Sequence, residues 1–192
     1  LTVSGYANTY YSAAAQAASQ SWSALFYGAI DAAGFITVDK PPASIWAMGL
    51  SVRILGLSPF AVLLPQALAG VASALVLWAA VRRSFGPAAA FIAGVAFALT
   101  PVAALMFRYN NPEALLTFLL VAGAWALQRS LEHGRVRWLL LSAVFVGLAF
   151  NAKFLQAYLV LPGFLLTWLV AAPVSLRRRV AALVPMAIAG AL

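Results

Sequence analysis

Apolar runs broken by short polar turns dominate this chain. Residues 61–81 contain no charge, and these 21 residues match the length a helix needs to cross a hydrocarbon core of about 30 Å. A basic turn, Arg82-Arg83-Ser84-Phe85-Gly86, follows, then a second apolar run over 87–107 with Pro101 as an expected kink. Arg108-Tyr109-Asn110-Asn111-Pro112-Glu113 forms the next turn, 113–128 returns, and 129–137 is a polar loop. Two shorter crossings, 138–150 and 154–171, hinge at Asn151-Ala152-Lys153, and Arg177-Arg178-Arg179 precedes a last apolar run over 180–192. The pattern predicts an all-α, polytopic transmembrane helical bundle. Because the last run stops within an apolar stretch and no leader precedes the first loop, the chain reads as a fragment.

The first 60 residues follow a different pattern. Thr9, Ser12, Gln16, Ser19 and Gln20 recur at helical spacing, with Tyr6, Tyr10, Ala13, Ala14 and Ala17 assigned to the opposite side. This predicts an amphipathic helix lying on the membrane surface, its tyrosines at headgroup level. An aromatic segment with Trp22, Phe26 and Tyr27 ends in a loop at 31–34. Residues 35–38 read as extended, and Pro41 and Pro42 fix the backbone and open a helix over 43–55. Gly56-Leu57-Ser58-Pro59 breaks it. The organisation expected is a juxtamembrane helical loop, 1–60, followed by membrane helices, 61–192.

Composition agrees: 65% hydrophobic residues and a mean hydropathy of +0.96 exceed what one soluble core of this size hides. The net charge of +8 does not point to nucleic acid, because the bases punctuate apolar runs instead of forming a patch with interleaved aromatics. With no cysteine and one histidine, His133, neither a thiolate nor a histidine metal centre is available within this chain, which leaves hard divalent cations on oxygen as the cofactor option.

Arg82, Arg83, Arg129, Arg135, Arg137 and Arg177 to Arg179 fall on alternate turns, and the excess of bases makes that side cytoplasmic. Asp31, Asp39, Lys40, Arg53, Arg108, Glu113 and Lys153 then share the outer side, placing three of the four acids there. Charge is scarce, so adjacent Asp39 and Lys40 beside two prolines are costly unless used. Lys40, Arg108 and Lys153 can surround a phosphate, with carboxylates alongside for proton abstraction or metal binding. Plainer readings stand beside these. Asn111-Pro112-Glu113 also reads as a helix start, with Asn111 as N-cap, Arg108 as a helix-end cation, and Asp39-Lys40 as an interfacial turn.

The first-loop segment Gly5-Tyr6-Ala7-Asn8-Thr9-Tyr10-Tyr11, followed by Val38-Asp39-Lys40-Pro41-Pro42 and Trp46, resembles the polytopic glycosyltransferases of the ArnT and protein-O-mannosyltransferase type, in the GT-C clan. The segments 108–113 and Gly147-Leu148-Ala149-Phe150-Asn151-Ala152-Lys153 resemble that family's second and third outer turns, and the likeness is closest to the bacterial family 39 branch. It implies sugar transfer from a polyprenyl-phosphate donor to an acceptor on the extracytoplasmic side of a bacterial plasma membrane. By the same resemblance Lys40 holds the lipid phosphate with Arg108 and Lys153, and Asp39 is the adjacent acid and a candidate metal ligand. Glu113, Asn8, Tyr10, Tyr11 and Asn111 support them. The acidic pair that family members often carry before the Tyr-Tyr is replaced here by Ala7 and Asn8, so either Asp31 or Asp39 substitutes as the base or this branch works differently. The competing expectations are a non-enzymatic transporter or flippase of anionic lipid-linked substrates, gripping a headgroup with the same bases, and a structural subunit whose outer turns stay apart.

Overall fold

The computed structural model describes residues 5–191; residues 1–4 of the first loop and Leu192 of the last apolar run lie outside them. Three helices form a cap: α1 (Thr9–Gln20), α2 (Trp22–Tyr27) and α3 (Ala43–Leu55). α4 (Pro59–Leu99) is folded back on itself where Gly86 takes φ 83° and ψ 177°, a conformation costly for any residue with a Cβ. Gly70 in its first arm consequently lies against the Phe107 ring beyond its second. α5 (Pro101–Met106), α6 (Glu113–His133) and α7 (Val136–Lys153) follow, then a 3₁₀ segment (Phe154–Val160), α8 (Leu161–Ala171), α9 (Leu176–Ala181) and α10 (Leu183–Gly190). Three stretches are long and apolar enough to cross a membrane: Pro59–Leu99, Glu113–His133 and Val136–Ala171. The expected all-helical membrane bundle is what forms; among the described residues the sole strand pairing is an isolated antiparallel bridge between Ala29 and Thr37.

The bundle has two chemically distinct ends. α6, with 21 residues, spans about 30 Å, and it separates Glu113 at its start from Glu132 near its close. At the Glu132 end Arg83 makes a two-pronged pair with Glu132, both contacts 2.8 Å. Gln128 donates there to the Ala80 carbonyl and the Ser84 hydroxyl. Arg179, expected as a topology anchor, also closes a helix end, its guanidinium donating to the Leu169, Val170 and Val174 carbonyls at the end of α8. These contacts bring the basic turns to one end, as their alternation predicts.

The cap packs differently from the sequence pattern in one respect. α1 was expected to lie on the membrane with Ser12 on its polar side and Tyr10 and Ala13 on its apolar side. Instead Tyr11, Ala14, Ala15 and Ala18 are buried with Leu25, Ile45, Met48 and Val52, Ser12 is buried, and Tyr10 and Ala13 are exposed. Small residues decide this. Alanine carries too little apolar area to mark a face by hydropathy, yet it lets α1 approach α3 closely. Arg53 of α3 completes the contact, donating to the Ser19 and Ala18 carbonyls at the end of α1 while lying 3.7 Å over the Trp22 ring.

The closest point of that contact is Gly49, where an added Cβ would stand 2.6 Å from the Ala18 Cβ and 2.9 Å from the Leu25 Cδ1. Gly49→Leu is expected to lower the thermal midpoint of the full-length protein in detergent, because overpacking typically costs about 1–3 kcal/mol. Gly94→Leu, where nothing lies within 4 Å, is the matched control and should melt like the parent.

Candidate functional site

The end of the bundle opposite the arginine turns holds two acid–base pairs. The first is set by the corner after α2. Gly28 closes α2 in the left-handed region (φ 66°), and the chain returns through Val38, whose N–H donates to the Gly28 carbonyl at 2.9 Å. Pro41 and Pro42 then start α3, with Pro42 at its N-cap. Asp39 thus sits between an extended segment and a helix start, where Lys40 Nζ donates to its Oδ2 at 2.6 Å and the Tyr11 hydroxyl donates to its Oδ1 at 3.1 Å. The Lys40 hydrogen bond, against desolvation and with help from Tyr11, holds the Asp39 carboxyl below its usual range. A lowered folded value makes this pair's contribution present at neutral pH and lost as pH falls through that value.

The second pair joins α6 to α7. Lys153, the last residue of α7, donates to Glu113 Oε1, while the buried Glu113 Oε2 has no hydrogen-bond partner among the described residues. The backbone turns sharply after Lys153, because Phe154 takes φ 43° and ψ −140°, an unusual conformation for a bulky side chain. That turn ends α7 where its lysine meets the start of α6.

Tyr11 stands between the pairs. Burial, its hydrogen bond to Asp39, and the negative charges of Asp39 and Glu113 all raise its phenol well above the usual tyrosine value, so it remains a donor at any physiological pH. Asn110, named in the sequence only as part of a turn and not as a site residue, joins two loops. Fully buried, it accepts from the Asn8 N–H at 2.7 Å and donates to the Asn8 carbonyl at 2.8 Å and to the Ser12 hydroxyl at 2.9 Å. Asn8 in turn caps α1, its side chain accepting from the Tyr10 N–H.

Four expected residues sit elsewhere or act differently. Asp31 serves its own loop: desolvation works to raise its carboxyl, but backbone N–H groups of Phe35, Ile36, Gly34 and Ala33 lower it overall. Arg108 is exposed, forms no ion pair among the described residues, and rims a cavity of about 500 Å³ with Gly70, Val71, Phe97 and Phe107. Asn111 is not the N-cap of α6; that place is Pro112, without a side-chain cap. Tyr10 is exposed and packs edge-on against Tyr11. No cluster of three or more potential metal-ligating His, Cys, Asp or Glu side chains occurs among the described residues, and both Asp39 oxygens are engaged by Lys40 and Tyr11. That donor set does not fit a divalent cation.

Comparison with known proteins adds a family to this geometry. A family model described as dolichyl-phosphate-mannose-protein mannosyltransferase matches residues 39–192. Two Bacillus subtilis (strain 168) proteins, named "Putative mannosyltransferase YycA" and "Putative mannosyltransferase YkcB", are 43% and 44% identical over 177 residues, 92% of this chain. The chain spans about a quarter of their length, 26% and 25%. In fold it is similar to the apo crystal structure of ArnT from Cupriavidus metallidurans, with a TM-score of 0.70, 23% identity, and coverage of 96% of this chain and 35% of that one.

The Glu113–Lys153 pair is half-buried, the side chains 27% and 20% exposed, so removing one partner leaves a poorly hydrated charge behind. Lys153→Met is expected to destabilise the full-length protein by about 1–3 kcal/mol, while Glu113→Gln with Lys153→Met together should cost less than the lysine change alone. Thermal unfolding of both single variants and the double variant measures the coupling.

Proposed function

This chain belongs to the dolichyl-phosphate-mannose-protein mannosyltransferase family, and we infer that it carries the sugar-transfer end of a membrane glycosyltransferase. The donor in this reading is a polyprenyl-phosphate sugar, the acceptor bears a hydroxyl, and the reaction takes place on the extracytoplasmic side. The observation that carries the reading is that Tyr11, bonded to the Asp39 of one acid–base pair, also feels the charge of Glu113 in the other, on loops that Asn110 joins to the start of α1. Excess arginine at the other end supports the sidedness.

The chemistry follows from the pairing. Transfer breaks the bond between the sugar C1 and the phosphate oxygen, whose electron pair leaves with the phosphate, and forms a bond from C1 to the acceptor oxygen. Negative charge stays on the leaving group and positive charge builds on the sugar, so cations must face the phosphate. In this scheme Lys40 does this, Lys153 at the end of α7 adds positive charge, and Arg108 offers a further cation to a lipid headgroup. When the phosphate draws Lys40 away, Asp39 loses the contact that depresses its proton affinity, and its freed Oδ2 becomes a better acceptor for the acceptor hydroxyl's proton. Donor binding and base activation are then one event. The phosphate leaves without being protonated, so a second carboxyl acting as general acid is not required.

In this scheme Lys40→Ala and Asp39→Ala each lower transfer by the full-length protein by about 10²-fold or more. The measurement is transfer from a panel of polyprenyl-phosphate hexoses in reconstituted vesicles; parental turnover in both variants would end the assignment.

A further inference from the structure

Asn110 lies at the junction of the two loops that carry the site, and it is not among the expected site residues. Its carboxamide meets three groups at once. Oδ1 accepts from the Asn8 N–H, and Nδ2 spends one hydrogen on the Asn8 carbonyl and one on the Ser12 hydroxyl, at 2.7, 2.8 and 2.9 Å. The side chain is fully buried, and Asn8 lies 102 residues away in the chain. A paired donor and acceptor closing on the N–H and C=O of one residue, and so on two successive peptide groups, fixes both its position and its orientation, which a single hydrogen bond does not.

Asn8 is the N-cap of α1. Ser12, the third group, also donates to the Tyr6 carbonyl at 2.8 Å, so the whole entry into the helix is held through one amide. Tyr11, adjacent to Ser12, is the residue whose hydroxyl orients Asp39. On the other side of the joint, Glu113 opens α6 three residues after Asn110 and pairs with Lys153. We propose that Asn110 is a positioning residue for sugar transfer, one that sets the register between Asp39–Lys40 and Glu113–Lys153 by clamping the Asn8 peptide and the Ser12 hydroxyl. The proposal rests on the functional reading above and adds to it the residue that assembles the two halves of the site.

The chemistry of the clamp supplies a specific test. Asn110→Asp keeps the shape and the acceptor for the Asn8 N–H, but as a carboxylate it turns oxygen toward the Asn8 carbonyl and the Ser12 oxygen. Burial and those two acceptors raise its pKa, so acid restores a donor to Asp and nothing to Ala. In the full-length protein, Asn110→Ala is expected to reduce kcat by about tenfold or more with the donor KM changed by less than about threefold, as for displaced reacting groups with binding intact. The activity of Asn110→Asp relative to Asn110→Ala should rise at least about threefold between pH 8 and pH 5.5, after both are normalised to the parent. Ser12→Ala, which removes one of the three contacts, should fall between parent and Asn110→Ala.

A second readout needs no turnover. Hydrogen exchange in the peptide containing Asn8 should accelerate in Asn110→Ala and recover in Asn110→Asp at the lower pH. Parental kcat in Asn110→Ala, an Asp-to-Ala ratio flat with pH, or unchanged exchange at Asn8 would each overturn the clamp. A parent protein that transfers no sugar overturns the functional reading instead, and the exchange measurement then still decides whether the clamp exists.

Discussion

The carboxamide of Asn110, closed on both backbone polar groups of Asn8, is the contact on which the cap end of this molecule depends. Apolar association alone is weak guidance here. In a chain of 65% hydrophobic residues nearly every surface is adhesive, and within a bilayer lipid tails compete with side chains on equal terms. What such a chain lacks is a reason to prefer one register of cap on bundle, and a buried amide with three obligate partners supplies it, because any slip leaves donors and acceptors unsatisfied away from water. The alanine face of α1 then settles against α3 with little side-chain relief to guide it, in the orientation the amide already dictates.

Charge obeys the same economy. Each of the chain's four acids has a partner close by: Asp31 its own loop's N–H groups, Asp39 Lys40 and Tyr11, Glu113 Lys153, and Glu132 Arg83. The membrane-crossing stretches hold their charges at the turns, where a compensated ion costs least. A transporter carrying charge at mid-membrane would look different. A structural subunit with dispersed outer turns would lack the Asn8–Asn110 joint.

Much of this was legible in the sequence because it rests on local rules. Runs without charge marked the long apolar helices, Gly86 after two arginines gave the reversal in α4, Pro41-Pro42 gave the corner at Asp39, and alternating arginines gave the two ends. The likeness of the first loop and of the Asp39-Lys40-Pro41-Pro42 corner to the ArnT type led to the family. The rest depends on partners distant in sequence. Asn110 and Asn111 are indistinguishable by residue type and neighbourhood, and the helix-start pattern favoured the second, yet the first is buried because the Asn8 peptide waits for it. Ser12 looked like one more polar residue on a wet face until the same joint covered it. A signal did exist: two adjacent asparagines in an apolar chain, of which helix capping needs only one.

The two ends also differ in the kind of base they use, and the difference matches what each end has to do. At the arginine end, Arg83 grips both oxygens of Glu132 and Arg179 donates to three carbonyls. A planar fork held at several points resists exchange, which suits an end that only has to stay together. At the other end each pair is one ammonium on one carboxylate oxygen, Lys40 on Asp39 and Lys153 on Glu113. An ammonium is a compact charge on a flexible stem, able to turn from a carboxylate to a phosphate without losing a matched second contact. Tyr11 bonds the other Asp39 oxygen, so in the proposed scheme a departing lysine leaves the acid its orientation and changes only its proton affinity. Fixed carboxylates with movable cations are what a site needs if it must rest neutral in an apolar setting and still receive an anion.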